Sequence, residues 1–298
     1  MSKKRLYSKK SAARTAILAV VILLVLAIFF AGSFNALLAE DNNNSPHVNY
    51  FPIVAQPDQP DTRSKDALFL VNQARAQAGV PPVKESNDLN NNCFEHARYM
   101  AENNVLAHSQ NPNLPYASAS GQACAQHGNT WLGSKKADPG WSPYDSVQGW
   151  MGSVGHRLWI LYPTTKTVGF GFFSTQGENR AGAALDILSF AQFGNDESFN
   201  GWPIKYPEGG VVVPPARYPI TLNWRYFGAT PELGQTQLQT AAGKKIPHEA
   251  STDLPVEHKG IKLLPRKNLP PNSKIIVTIN GIYEGQPFSY TWDFHTGS

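Results

Sequence analysis

The chain holds eight histidines and only two cysteines, and these carry much of its capacity for chemistry. A histidine serves as a general base, a metal ligand or a hydrogen-bonding group, depending on what its neighbours select. No short signature settles that choice for any of the eight. His248-Glu249 continues as Ala-Ser-Thr, so it lacks the second histidine of an HExxH helix. Ser153 lies near His156, but no GxSxG elbow surrounds it. Walker and GxGxxG loops are absent too. His96 is expected on a helix flank and His127 in a solvent loop. Trp131, Trp141, Trp150, Trp159 and Tyr162 crowd one stretch. Rings of this kind either pack a core or wall a groove for lipid, glycan or peptide. Trp131 and Trp141, flanked by Gly, Ser and Pro, are the better groove candidates, and Trp150 the better core residue. A site must be assembled from residues distant in sequence, so the elements that bring them together come next.

Composition narrows the class. Charged residues are 16% of the chain and hydrophobic ones 41%, where soluble domains run near 25% charged. With 24 Gly and 23 Pro, loops are plentiful, which argues against a coiled coil, a collagen and a fully disordered chain. The net charge of +4 arises at the amino terminus. Lys3, Lys4, Arg5, Lys9, Lys10 and Arg14 precede any acid. The remainder is slightly negative, with no broad claim on nucleic acid.

No charge interrupts Thr15 to Ala39, and Ala16 to Ala31 is almost wholly apolar. About 20 apolar residues span a bilayer as a helix, and the basic tip, residues 1–14, is expected to stay cytoplasmic. Two readings stand: a retained single-pass anchor over 15–38, or a signal peptide cut after Ala39. Both export the body, and the anchor makes the membrane a partner. Outside the cell, Cys93 and Cys124 read as a disulfide. Closing about 31 residues is worth roughly 3–4 kcal/mol in the loop-entropy model. Two buried free thiols are the alternative.

Residues 39–62 read as a polar, proline-broken disordered linker. Helical spacing then links Ala67, Leu70, Val71, Ala74 and Ala78, with Thr62 or Ser64 as cap and Gly79 as stop. Asn72 and Arg75 interrupt that stripe. A second helix is expected over 88–104, with Leu89, Cys93, Ala97 and Met100 inward. Residues 111–141 read as irregular. Ser142-Pro143-Tyr144-Asp145 opens a third helix with the pattern of a capping box, ending near Gly152. Val168–Phe173 and Ala183–Phe190 flank a polar turn and read as a hairpin. Helices followed by an antiparallel hairpin indicate an α+β domain.

Four of these pieces together resemble the CAP superfamily of cysteine-rich secretory, antigen 5 and pathogenesis-related-1 proteins. They are Leu70-Val-Asn-Gln-Ala-Arg-Ala-Gln-Ala-Gly79; Ala97-Arg-Tyr-Met-Ala101 followed by His108; Trp150-Met-Gly-Ser-Val-Gly-His-Arg157; and Val168-Gly-Phe-Gly171. The resemblance spans about Ser64 to Phe193 and implies an α-β-α sandwich, placed here at 63–198. It puts His108 and His156 on the two histidine positions of a central cleft, where two imidazoles could hold Zn²⁺ or another divalent ion. The family's two glutamates are not matched. Gln122 stands at the first position, and Asp145 or Gln148 is nearest to the second. Gln is a poor metal ligand and no general base. Gly177-Glu178-Asn179 copies the family's letters but falls in the hairpin turn. Arg157 reads as structural, its fork satisfying loop carbonyls or an acid.

Twelve prolines lie at or beyond Pro203, so long helices are not expected there. Residues 199–215 read as a Pro/Gly linker. Short alternating runs at 220–227, 274–279 and 288–294 suggest a small all-β sandwich over 216–298, with Asn280-Gly281 as a hairpin turn. Leu264 to Ile279 and the closing Thr291-Trp-Asp-Phe-His-Thr296 resemble bacterial immunoglobulin-like modules, which implies a spacer or binding role. The expectation is an exported, membrane-tethered protein whose cleft binds a lipid, glycan or surface protein without catalysis. A hydrolase or peptidase using His108 and His156 and a structural surface protein are the competing readings.

Overall fold

The computed structural model describes residues 63–134, 140–175 and 179–298. The apolar run 15–38 and the linker 39–62 fall outside the described residues. Among those described, no helix is long and apolar enough to cross a membrane.

The first part is a three-layered sandwich. Helix α1 (Arg63–Gln77) ends in a Schellman turn, with Gly79 at positive φ and Val80 N–H returning to the Arg75 carbonyl. Helix α2 (Asn87–Asn103) starts at the Ser86 cap and stops at Asn104 in the left-handed region. Between the layers lies a four-stranded sheet of order β1-β3-β4-β2. Its strands are β1 (Lys84–Glu85), β2 (Gly128–Ser134), β3 (Thr167–Ser174) and β4 (Arg180–Asp186). Val168, Phe170 and Phe172 point to the face covered by α1 and by α4 (Pro143–Gly152). Gly169, Gly171 and Gly182 point the other way. A Cβ on any of them would overlap the α2 main chain at Leu89, Cys93 or Ala97. These glycines let α2 lie directly on the sheet, which is the physical content of the Val-Gly-Phe-Gly run.

Two elements sit in the stretch 111–141 that read as irregular: β2 and the short helix α3 (Ala119–Ala125). Both are brief and poor in apolar residues, so periodicity does not reveal them. Helix α5 (Val154–Ile160) follows α4 directly and carries His156.

Residues 199–215 also differ from the linker reading, because they contribute strands. β5 (Ile204–Tyr206) and β6 (Val212–Val213) join two four-stranded sheets. One sheet has the order β5-β7-β10-β9 and the other β6-β12-β11-β8. Their other strands are β7 (Ile220–Asn223), β8 (Glu232–Thr240), β9 (His248–Ser251), β10 (Gly260–Pro265), β11 (Lys274–Tyr283) and β12 (Gln286–Thr296). Ile220, Leu222, Ile261 and Leu263 share a core with Ile275, Val277, Ile279 and Phe294, as in a β-sandwich. Asn280-Gly281 does not form the turn. It lies inside β11 at a register shift against β8, while Glu284 and Gly285 supply the two positive φ values that a tight hairpin needs.

Two buried guanidiniums pin the chain, Arg75 within the first part and Arg157 across to the second. Arg75 donates to the carbonyls of Pro81 (2.7 Å), Ile160 (2.7 Å), Tyr162 (3.0 Å) and Thr165 (3.3 Å). It therefore serves the unpaired end of α5. Arg157 donates to Met151 (3.1 Å) and across to Pro219 (3.0 Å), and Tyr218 Oη donates to the same Met151 carbonyl at 2.8 Å. His258 lies at the same junction, with ring centroids 4.4 Å from Trp159 and 4.9 Å from Tyr226. Its Nε2 has no hydrogen-bond partner among the described residues. Burial, with a smaller push from Lys259, lowers its pKa to about 3.

Arg75→Ala strands buried carbonyls at about 1–3 kcal/mol each, so urea unfolding should show a loss above about 3 kcal/mol. Arg75→Lys should recover little, because an ammonium cannot serve diverging acceptors as a planar fork does; a fully stable Lys variant would refute that account. For His258, the unfolded chain takes up its proton near 6.5 and the folded chain only near 3. Its stabilising effect is therefore complete above pH 6.5 and declines as pH falls through that window, by up to about 4–5 kcal/mol. His258→Phe should flatten the stability-against-pH curve between 6.5 and 3, as checked by denaturant midpoints at each pH.

Candidate functional site

The sheet edge formed by β2 brings the two expected histidines together. His108 sits in the loop after α2, and His156 in the first turn of α5. Their ring centroids are 6.3 Å apart with planes 27° from parallel. Adjacent β2 residues reach both, since successive side chains project to opposite faces. Thr130 Oγ1 lies 3.4 Å from His108 Nε2, and Asn129 Nδ2 donates to the His156 carbonyl at 3.1 Å. Burial lowers the His156 pKa, and the neighbouring His108 charge lowers it further. The His156 imidazole is thus neutral at neutral pH.

The His108 loop is held by side chains that sequence reasoning assigned elsewhere or missed. His96 is fully buried, not on a helix flank. Its Nε2 meets the Ala107 carbonyl at 2.9 Å, and its Nδ1 meets Gln110 Nε2 at 3.2 Å. Those partners select the neutral tautomer with the proton on Nε2, and burial favours the neutral ring by lowering its pKa. The signal was available, because His96 lies three residues after buried Cys93 and four before buried Met100. Gln110 is the hub of the loop. Its Oε1 accepts from Ser118 N–H at 2.7 Å, and its own N–H donates to Gln122 Oε1 at 2.5 Å. Tyr99 Oη accepts the next amide, Asn111, at 2.9 Å. Cys93 and Cys124 form a disulfide with Cα atoms 5.1 Å apart, joining α2 to α3 across the base of this loop.

The other expected site residues are placed differently. Gln122 turns its carboxamide oxygen to the Gln110 amide. Asp145 Oδ2 accepts from Ser142 N–H at 2.8 Å and Ser142 Oγ at 2.7 Å, capping α4. Trp131 and Trp141 meet edge to face at 5.1 Å, and Trp131 lies over Gly149 of α4. Position 131 faces the layer opposite that of Thr130, so this indole pair is on the far side of β2 from the His108–Thr130 contact. His127 is exposed and its Nδ1 meets the Ala123 carbonyl.

A catalytic zinc site uses three protein ligands and keeps one position open. Among the described residues no three His, Cys, Asp or Glu side chains converge in that way. The imidazole pair falls one donor short, and Thr130 is a neutral hydroxyl. The residues present do not fit a protein-held zinc site. They suit hydrogen bonding to a polar ligand, with two imidazoles and a hydroxyl as the polar groups.

The model of the cysteine-rich secretory protein family, CAP, matches residues 68–187. Among solved structures, the chain is similar to an outer surface protein from Borrelia burgdorferi, with TM-score 0.31 and 17% identity over 41% of this chain and 88% of that one. It is also similar to an extracellular protein containing a SCP domain from Bacillus anthracis, with TM-score 0.30 and 18% identity over 41% of this chain and 39% of the other. Comparison with curated proteins gives no match. The family match takes in α2, both histidines and the hairpin β3–β4, and residues 68–187 are a CAP domain.

Proposed function

We propose that the protein is an exported binding protein, tethered by its apolar amino-terminal run, whose CAP domain takes a lipid, glycan or protein ligand at the His108–His156 edge without turning it over. One observation carries this reading. Of the side chains nearest the family's carboxylate positions, Gln122 is engaged on a backbone amide and Asp145 on a helix cap. What remains is an imidazole pair with a hydroxyl. Such a set orients a ligand, but it has no carboxylate to hold a histidine as a charged general acid or base. In this reading the carboxy-terminal β-sandwich is an immunoglobulin-like spacer that presents the CAP domain.

Casein and purified peptidoglycan should both survive incubation with the full chain; cleavage that disappears in His156→Ala would establish a hydrolase instead. Co-sedimentation with insoluble peptidoglycan and with phosphatidylglycerol vesicles should detect binding. His108→Ala with His156→Ala should weaken it by about tenfold, roughly 1.4 kcal/mol; equal binding by the double variant would move the site elsewhere. Zn²⁺ titrated into the full chain should show no saturable site that both single histidine variants abolish.

A further inference from the structure

A second cleft lies where residues 197–203 meet the β-sandwich. It is an open groove of about 600 Å³ walled by Phe199, Trp202, Trp224, Tyr283 and Tyr290, with Arg225 and Glu197 at its rim. That volume is in the range of small-molecule sites, which favour domain junctions and combine aromatic walls with a few polar groups. The rings are ordered by each other. Phe199 meets Trp202 edge to face at 5.5 Å, Tyr283 stacks on buried Trp224 at 4.9 Å, and Tyr290 leans on Phe288 at 5.5 Å. Phe199, Trp202, Tyr283 and Tyr290 are half-buried, so each keeps accessible ring surface. The polar rim is also organised, with Arg225 donating to Glu197 at 3.1 Å and to Glu284 at 2.6 Å.

The chemistry of these walls selects among ligands. The rim holds Arg225 between two carboxylates, so its charges are largely committed to each other. The rim instead offers both acceptors and donors, on Glu197 and Arg225, to a neutral ligand rich in hydroxyls. Ring faces with negative quadrupoles suit the polarised C–H faces of a sugar. A proline-rich peptide docks to aromatic grooves as well, but it brings acceptors without donors. The Trp202 indole N–H is already donated to the Asp196 carbonyl at 2.9 Å, which leaves Arg225 as the donor at the rim and Glu197 as an acceptor that such a peptide cannot satisfy. We propose that this cleft binds a neutral oligosaccharide, its rings stacked on Trp202 and Tyr290 and its hydroxyls held by Arg225 and Glu197. The site is separate from the imidazole pair of the CAP domain, and neither reading depends on the other.

Calorimetric titration of the full chain with maltotriose, cellotriose and chitotriose, and separately with a decaproline peptide, tests this. At least one trisaccharide should bind saturably. Tyr290→Ala and Arg225→Gln should each weaken it by about tenfold or more, and Tyr290→Trp should retain it. Thermal melts identify any variant that fails to fold. Tyr290→Trp and Arg225→Gln act on the cleft by different chemistry, so one of them remains decisive. Failure of all three sugars to bind, binding of the peptide alone, or sugar binding untouched by Tyr290→Ala and Arg225→Gln would overturn the proposal.

Discussion

A charge that cannot be given up, placed where no water reaches it, dictates how the CAP domain closes. Burial lowers the Arg75 pKa to about 10, which still leaves it protonated at neutral pH. Its partners among the described residues are four main-chain carbonyls and no carboxylate. Carbonyls have directions, so the guanidinium fixes the path of residues 160–165 as well as their distance from α1. Asn72, one turn earlier, does the same for the chain before β1 by pairing with both main-chain groups of Val83 at 2.8 and 2.9 Å. The end of α5 is anchored in this way, and its first turn, with His156, is aimed at the edge of β2.

Arg157 extends the principle to the boundary with the β-sandwich. The Met151 carbonyl accepts from Arg157 and from Tyr218, so one oxygen at the end of α4 serves two side chains from different parts of the chain. Asp196 adds a second polar joint, accepting from Tyr162 Oη at 2.5 Å and from Tyr226 N–H at 2.8 Å. Trp159, Phe193 and Tyr226 surround these bonds with rings. Directional bonds set the orientation at this junction, and the apolar rings exclude water that would weaken them.

What could be read from the residues alone follows from how local each signal is. Gly79 and the Ser142–Asp145 pattern were legible because each encodes a nearby backbone requirement. His108 and His156 were found through a family pattern, since nothing in their own neighbourhoods announces a site. β2 and α3 stayed hidden because they owe their form to tertiary contacts, with Gly128–Ser134 pairing along the whole of β4. Arg75 was visible only as an interruption in an apolar stripe, and its carbonyl partners lie as far as 90 residues away. Asn280-Gly281 misled for a related reason. The dipeptide suits a turn, but here its glycine accommodates a close approach to the Glu232 main chain, and the register of β11 outweighed the local preference.

The disulfide has a consequence for how the site comes to exist at all. His108 lies inside the loop that Cys93 and Cys124 close, while His156 lies outside it. Cross-linking holds the His108 loop to α2 and α3, which limits how far that imidazole can stray from the edge of β2. Reduction of the bond would release that restraint, and the two imidazoles would then meet less often.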